Sequence, residues 1–131
     1  MKILICMQHQ LTEDQLIELN NLDTRVEIEY LKDVDTKLFN SVANSPDDVR
    51  ALAIAAQSLE NSCRFGYDAV LLPIGSPAFM FCFATVVATR QTKTKFLFSH
   101  SERQSIEVPG PNGTVEKRMV FKHTHFIEIH M

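Results

Sequence analysis

The chain has no excess of positive charge, no long hydrophobic run and no set of cysteines that pairs off. Its 131 residues carry 13 Lys and Arg against 16 Asp and Glu, a net charge of −3. A protein that grips long nucleic acid by the backbone presents a basic surface, so no long nucleic acid is expected as a partner. The longest apolar run is too short to cross a bilayer, and no membrane is expected as a partner either. The cysteines Cys6, Cys63 and Cys82 are odd in number and form no Cys-x-x-Cys pair. That pattern fits reduced, buried thiols rather than a disulfide framework. The glycine fingerprint of dinucleotide-binding turns is missing, and so is the P-loop lysine. Met1-Lys2-Ile3-Leu4-Ile5-Cys6 turns polar too soon for a secretory leader, which leads to the expectation of a cytoplasmic protein.

What is present is ordinary for a globular domain. With 45% hydrophobic and 22% charged residues, one compact domain over 1–131 is expected. The stretch that organises it is Ala69–Arg90. Ala69-Val70-Leu71-Leu72 is apolar without alternation, the pattern of a strand buried on both faces. Gly75-Ser76-Pro77 breaks it and opens a helix, with Ser76 as N-cap and Pro77 at the first helical position. Such a turn presents backbone N–H groups at the carboxyl edge of a sheet, where open α/β folds bind ligands. The helix after it is apolar nearly all round, through Phe79, Met80, Phe81, Phe83, Val86 and Val87. It needs cover on more than one side. A second copy of the chain would supply it; the alternative is cover by the chain's own C-terminal segment.

The rest follows in order. Lys2–Met7 reads as a central strand and Gln8-His9-Gln10 as its loop. Thr12 and Gln15 form a capping box for a helix whose stripe is Leu16, Leu19 and Leu22. Arg25–Leu31 alternates like an edge strand, and Asp33–Asn44 reads as irregular. Ser45 and Pro46 open a helix carried by Val49, Leu52, Ala53, Ala56 and Leu59, with Gly66 as C-cap. Phe96-Leu97-Phe98 is a short buried strand ending in the loop Ser99-His100-Ser101. Ser105–Val108 and Thr114–Ile129 form a hairpin about Pro109-Gly110-Pro111-Asn112-Gly113. In the last strand, alternation puts Met119, Phe121, His123, His125, Ile127 and Ile129 on one face, and Val120, Lys122, Thr124, Phe126, Glu128 and His130 on the other. The fold class is therefore α/β. A mainly parallel sheet flanked by helices occupies 1–100, and an antiparallel C-terminal β-hairpin occupies 101–131.

Three polar loops should converge on the carboxyl edge: Gln8-His9-Gln10, Gly75-Ser76 and Ser99-His100-Ser101, with Lys122-His123 from the hairpin. Rich in His, Ser, Gln and Lys and poor in carboxylates, this set suits phosphates and base edges better than metal-dependent hydrolysis. Each piece also has a plainer role: His9 as a solvated loop residue, Gly75-Ser76 as turn and cap, Lys122 as an exposed strand charge. His123 and His125, two apart on one face, have the look of paired zinc ligands. No third ligand stands nearby, so neither metal nor cofactor is expected.

Four segments carry a resemblance: the opening strand with Gln8-His9-Gln10-Leu11-Thr12-Glu13-Asp14-Gln15; Pro73-Ile74-Gly75-Ser76; Phe96-Leu97-Phe98-Ser99; and Arg118-Met119-Val120-Phe121-Lys122-His123 with Phe126. In these the chain resembles the small CRISPR-associated ring nucleases of type III CRISPR systems, related to the Rossmann-like CRISPR-associated sensor domains. The likeness spans most of the chain, although Pro73 and Pro77 depart from the family pattern about Gly75. It implies a Rossmann-like homodimer that binds cyclic oligoadenylate, typically cyclic tetra-adenylate, across its two-fold interface. It implies metal-free cleavage of that ring and an end to the signal it carries. Gln8, His9, Gln10, Gly75, Ser76, Ser99 and Arg118 would contact the ligand, and Lys122, His123 and His9 would serve the chemistry. A module that only sequesters or senses the ring is the alternative.

Overall fold

The computed structural model describes residues 1–44 and 46–129. Five strands form one sheet in the order β2-β1-β3-β4-β5. β1 (Lys2–Ile5), β2 (Glu27–Tyr30) and β3 (Ala69–Leu72) are parallel, as is the first part of β4 (Lys95–Pro109) against β3. β5 (Val115–Ile129) runs antiparallel to β4. The sheet is flanked by α1 (Glu13–Asn20), α2 (Leu31–Val34), α3 (Thr36–Ala43), α4 (Val49–Gly66) and α5 (Pro77–Thr89).

The pleat divides the core in two. Leu4, Cys6, Val70, Leu72 and Phe96 point to the side covered by Val42, Leu59, Phe79 and Phe83 of α3, α4 and α5. Ile3, Ile5, Ala69, Leu71 and Leu97 point to the other side, where Leu19 of α1 covers them. All four residues of β3 are buried, as a strand with helices on both faces requires.

Several helix details depart from the sequence pattern. The capping box of α1 forms as read, but its buried face is Leu11, Gln15 and Leu19, while Leu16 and Leu22 stay 36% and 41% exposed. Asp33–Asn44 is not irregular. Leu31 leaves β2 to start α2, and the Asp35 carboxylate caps α3 by accepting from the Leu38 N–H at 3.1 Å. Leu38 and Val42, one turn apart, anchor α3 in the core. Asp48 caps α4, accepting from the Ala51 N–H; the expected cap Ser45 lies outside the described residues. Val49 is exposed, and Gly66 is the last helical residue, followed by extended Tyr67 as the cap. Ser76 and Pro77 open α5 as expected, the Ser76 hydroxyl accepting from the Phe79 N–H at 3.1 Å.

The larger departures lie in the hairpin. Ser99-His100-Ser101 is not a loop: β4 is one strand of 15 residues, because its polar middle is paired throughout by β5. The turn forms at Pro111–Gly113, where Asn112 and Gly113 both take positive φ. Thr124 is an extra residue on β5, since His123 pairs with Ser101 and His125 with His100. One extra residue reverses the alternation. His123 and Phe126 therefore share a face, their rings 4.5 Å apart, while His125 lies on the other with His100 at 5.1 Å. The expected shared face of His123 and His125 is thereby overturned, and with it the even alternation of the last strand. His130 lies outside the described residues.

β4 pairs with β3 only as far as Phe98, so among the described residues no third strand joins the ribbon beyond Ser101. It exposes Met119 and Phe121. α5 buries Phe79, Phe83 and Val87 at helical spacing and leaves Phe81 79% exposed. An apolar groove of about 400 Å³ runs from α5 to Phe98 and Ile129. Within the described residues, no C-terminal segment covers this helix.

Candidate functional site

Two features lie at the carboxyl edge of the sheet. The first is an open cleft of about 490 Å³ between the ends of β1 and β3, lined by Met7, Gln8, His9, Ala43, Pro73, Ile74 and Gly75. Its chemistry comes from Gln8 and His9, which are exposed. α3, absent from the sequence reading, contributes the Ala43 wall. Gly75 makes the floor turn at φ +72°, a conformation that favours glycine. Ser76 stands next in the chain, but its hydroxyl is already engaged in capping α5.

The second feature is a polar chain on the α1 face of β4 and β5. The loop that starts in the cleft ends in the α1 capping box, which joins the two. Thr12 N–H donates to Gln15 Oε1 at 2.9 Å, and Gln15 Nε2 donates to Ser99 Oγ at 3.3 Å. Ser99 Oγ contacts His123 Nδ1 at 2.5 Å, and His123 Nε2 contacts Glu18 Oε1 at 2.8 Å. The Phe126 N–H donates to the second Glu18 oxygen at 2.8 Å. The His123 side chain is 4% exposed and its ring rests against Phe126.

The remaining sequence candidates are placed elsewhere. Lys122 is exposed and pairs with Glu102, one position before His123 on β5. Successive strand residues face opposite ways, so Lys122 and His123 of one chain do not point at the same spot. Arg118, opposite Ile106 and 3.8 Å from Glu116, lies five residues up the ribbon. That is roughly 16 Å from His123 along the strand. Gln10 is exposed in the loop beyond the cleft.

A larger hollow of about 900 Å³ lies at the amino ends of the strands, around Arg64, Tyr67, Lys93 and Lys95. It contains neither histidine nor serine. Among the described residues, no group of three or more His, Cys, Asp or Glu is placed to hold a metal ion. No helix among them is long and apolar enough to cross a membrane.

A family profile matches residues 1–127. The chain belongs to the uncharacterized protein MJ1673 family. Neither the curated proteins nor the solved structures contain a match.

For this member of the MJ1673 family, sequence reasoning missed Glu18 altogether and saw Gln15 only as a cap. The available signal was a polar residue on an apolar stripe. Leu11, Gln15 and Leu19 are spaced by four, and Gln15 is as buried as its neighbours. A glutamine there needs partners inside the fold.

Proposed function

We propose that the protein binds cyclic oligoadenylate, cyclic tetra-adenylate foremost, across a two-fold dimer interface and cleaves it without metal, ending a type III CRISPR signal. The observation that carries this reading is the pairing of the Gln8–His9–Gly75 cleft with the Ser99–His123 contact at one sheet edge. The resemblance in the same segments supports it. Cleavage of this kind uses the ligand's own 2′-hydroxyl: the 2′-oxygen bonds to phosphorus, the 5′-oxygen departs, and a 2′,3′-cyclic phosphate remains. The protein has to align the hydroxyl in line and move one proton. The loop Gln8-His9-Gln10 and the Gly75-Ser76 turn would hold the ring. Lys122, which faces away from His123, and Arg118, five residues up the ribbon, would serve a ring shared between two copies. The exposed apolar surface of α5 and the projecting ribbon are where the copies would meet.

The test is incubation of the purified protein, in EDTA, with cyclic tri-, tetra- and hexa-adenylate, and chromatography of the products. Linear products ending in 2′,3′-cyclic phosphate support the reading, and Lys122→Ala and His123→Ala then locate the chemistry. An intact ring that co-elutes with the protein means a sequestering module instead. That alternative draws on one observation: both ring nitrogens of His123 are engaged within the protein. Neither binding nor cleavage overturns both.

A further inference from the structure

We propose that Ser99, with His123 behind it and Glu18 holding His123, is the group that exchanges a proton with the ligand; this rests on the ring-cleavage reading above. The direction of the hydrogen bonds carries the inference. A peptide N–H can only donate, and one stands at each end of the chain of contacts. Thr12 N–H fixes the Gln15 carbonyl toward itself, which turns the Gln15 amide NH₂ to Ser99. Ser99 Oγ thus accepts from Gln15; in a neutral imidazole whose Nε2–H faces the Glu18 carboxylate, Nδ1 is the acceptor and takes the Ser99 proton. The Nε2 proton is donated to Glu18 Oε1. Phe126 N–H holds the other Glu18 oxygen. Every contact agrees with one orientation.

His123 itself is almost wholly buried, with both nitrogens engaged. Ser99 Oγ, accepting from Gln15 alone, keeps a second lone pair. The serine hydroxyl therefore has a position left for the ligand, which the His123 ring does not, and Glu18 is a positioning residue. In the step, the ligand's 2′-hydroxyl gives its proton to Ser99 Oγ as the Ser99 proton passes to His123 Nδ1. The 2′-oxygen–phosphorus bond forms and the bond from phosphorus to the 5′-oxygen breaks. The proton returns through Ser99 to the departing 5′-oxygen. No proton is gained or lost overall, and the Glu18 carboxylate stabilises the transient imidazolium.

The experiment compares wild type, Glu18→Gln and Ser99→Ala, each full length. Nitrogen NMR of the histidine ring reads the His123 tautomer, single-turnover assays in EDTA read cleavage of cyclic tetra-adenylate, and titration of the same ring reads affinity. Wild type is expected to hold the proton on Nε2. In Glu18→Gln the amide oxygen stays on the Phe126 N–H and its NH₂ faces His123, which drives the ring proton to Nδ1. Cleavage is expected to fall roughly 100-fold or more in both variants, with affinity within about twofold of wild type in Glu18→Gln. Ser99→Ala keeps the Glu18–His123 contact and so gives the same answer should Glu18→Gln fold poorly. Wild-type cleavage with unchanged rates in both variants, or an Nδ1-protonated His123 in wild type, overturns the relay alone. A wild type that leaves every ring intact overturns the cleavage reading and the relay with it.

Discussion

A Cβ built on Gly75 would sit 3.0 Å from the carbonyl oxygen of Val42. The turn after β3 and the end of α3 are thus packed against each other with room for hydrogen only. Phe79 Cδ1, at 3.3 Å, closes the third side. Gly75→Ala adds a methyl to this contact and an alanine at φ +72°, and the two together should cost about 2 kcal/mol. Urea unfolding measures it. Loss of less than about 0.5 kcal/mol would mean that α3 yields, and that the cleft wall is soft.

Glu60 is wholly buried on α4. It accepts from the Thr92 hydroxyl at 2.7 Å and is paired with Arg64 and with Arg90 at 3.0 Å, which ties α4 to the end of α5. Burial works to raise its pKa, but the hydrogen bonds from Thr92, Arg64 and Arg90 outweigh it and hold the carboxyl below the usual carboxylate value. A depressed folded-state pKa stabilises above the unfolded value and is lost as pH falls through the folded one. Stability should therefore drop on acidification below about pH 4.5 in wild type, and the drop should be shallower in Glu60→Gln. At neutral pH that variant should lose about 2 kcal/mol, since both arginines can turn to water. Denaturant curves at pH 7 and pH 3 give both numbers.

Phe81 is an exposed ring on a helix that buries only one of its apolar faces. Phe81→Glu should leave the stability of a single chain within about 0.5 kcal/mol, because the ring has little to lose there. In sedimentation the wild type is expected as a dimer and the variant as a monomer. A dimer that survives the substitution would move the interface to the ribbon.

The thiols should separate by reactivity. Burial pushes Cys63 up to about 12, with a smaller push from Glu60, and burial also raises Cys6 well above the ordinary thiol value, with Cys63 adding to it. Both stay protonated and inert at pH 8, whereas Cys82 is half-buried on α5. A thiol reagent should label Cys82 in the native protein and all three after unfolding. Fast native labelling of Cys6 or Cys63 would reveal opening of the core.

Features written in adjacent residues were legible. The Thr12–Gln15 box, the Ser76–Pro77 helix start, the buried run Ala69–Leu72 and the Asn112–Gly113 turn each depend on local backbone and a few neighbours. α3 was missed: its cap Asp35 and its two buried anchors, Leu38 and Val42, stand among polar neighbours that hide the helical period.

The sequence by itself determined the parallel core strands, the α1 capping box and the Ser76–Pro77 start of α5, because propensity, capping and hydrophobic period act within a few residues. Tertiary structure decided which side chains meet. The extra residue Thr124 exists only as a mismatch between two paired strands, and it alone puts His123 on the α1 face and His125 on the other. Glu18 reaches His123 across 105 positions of chain, and Ser99 stays in a strand because β5 pairs with it. Such contacts are fixed by where packing brings distant elements together, and no local pattern of residues encodes that distance.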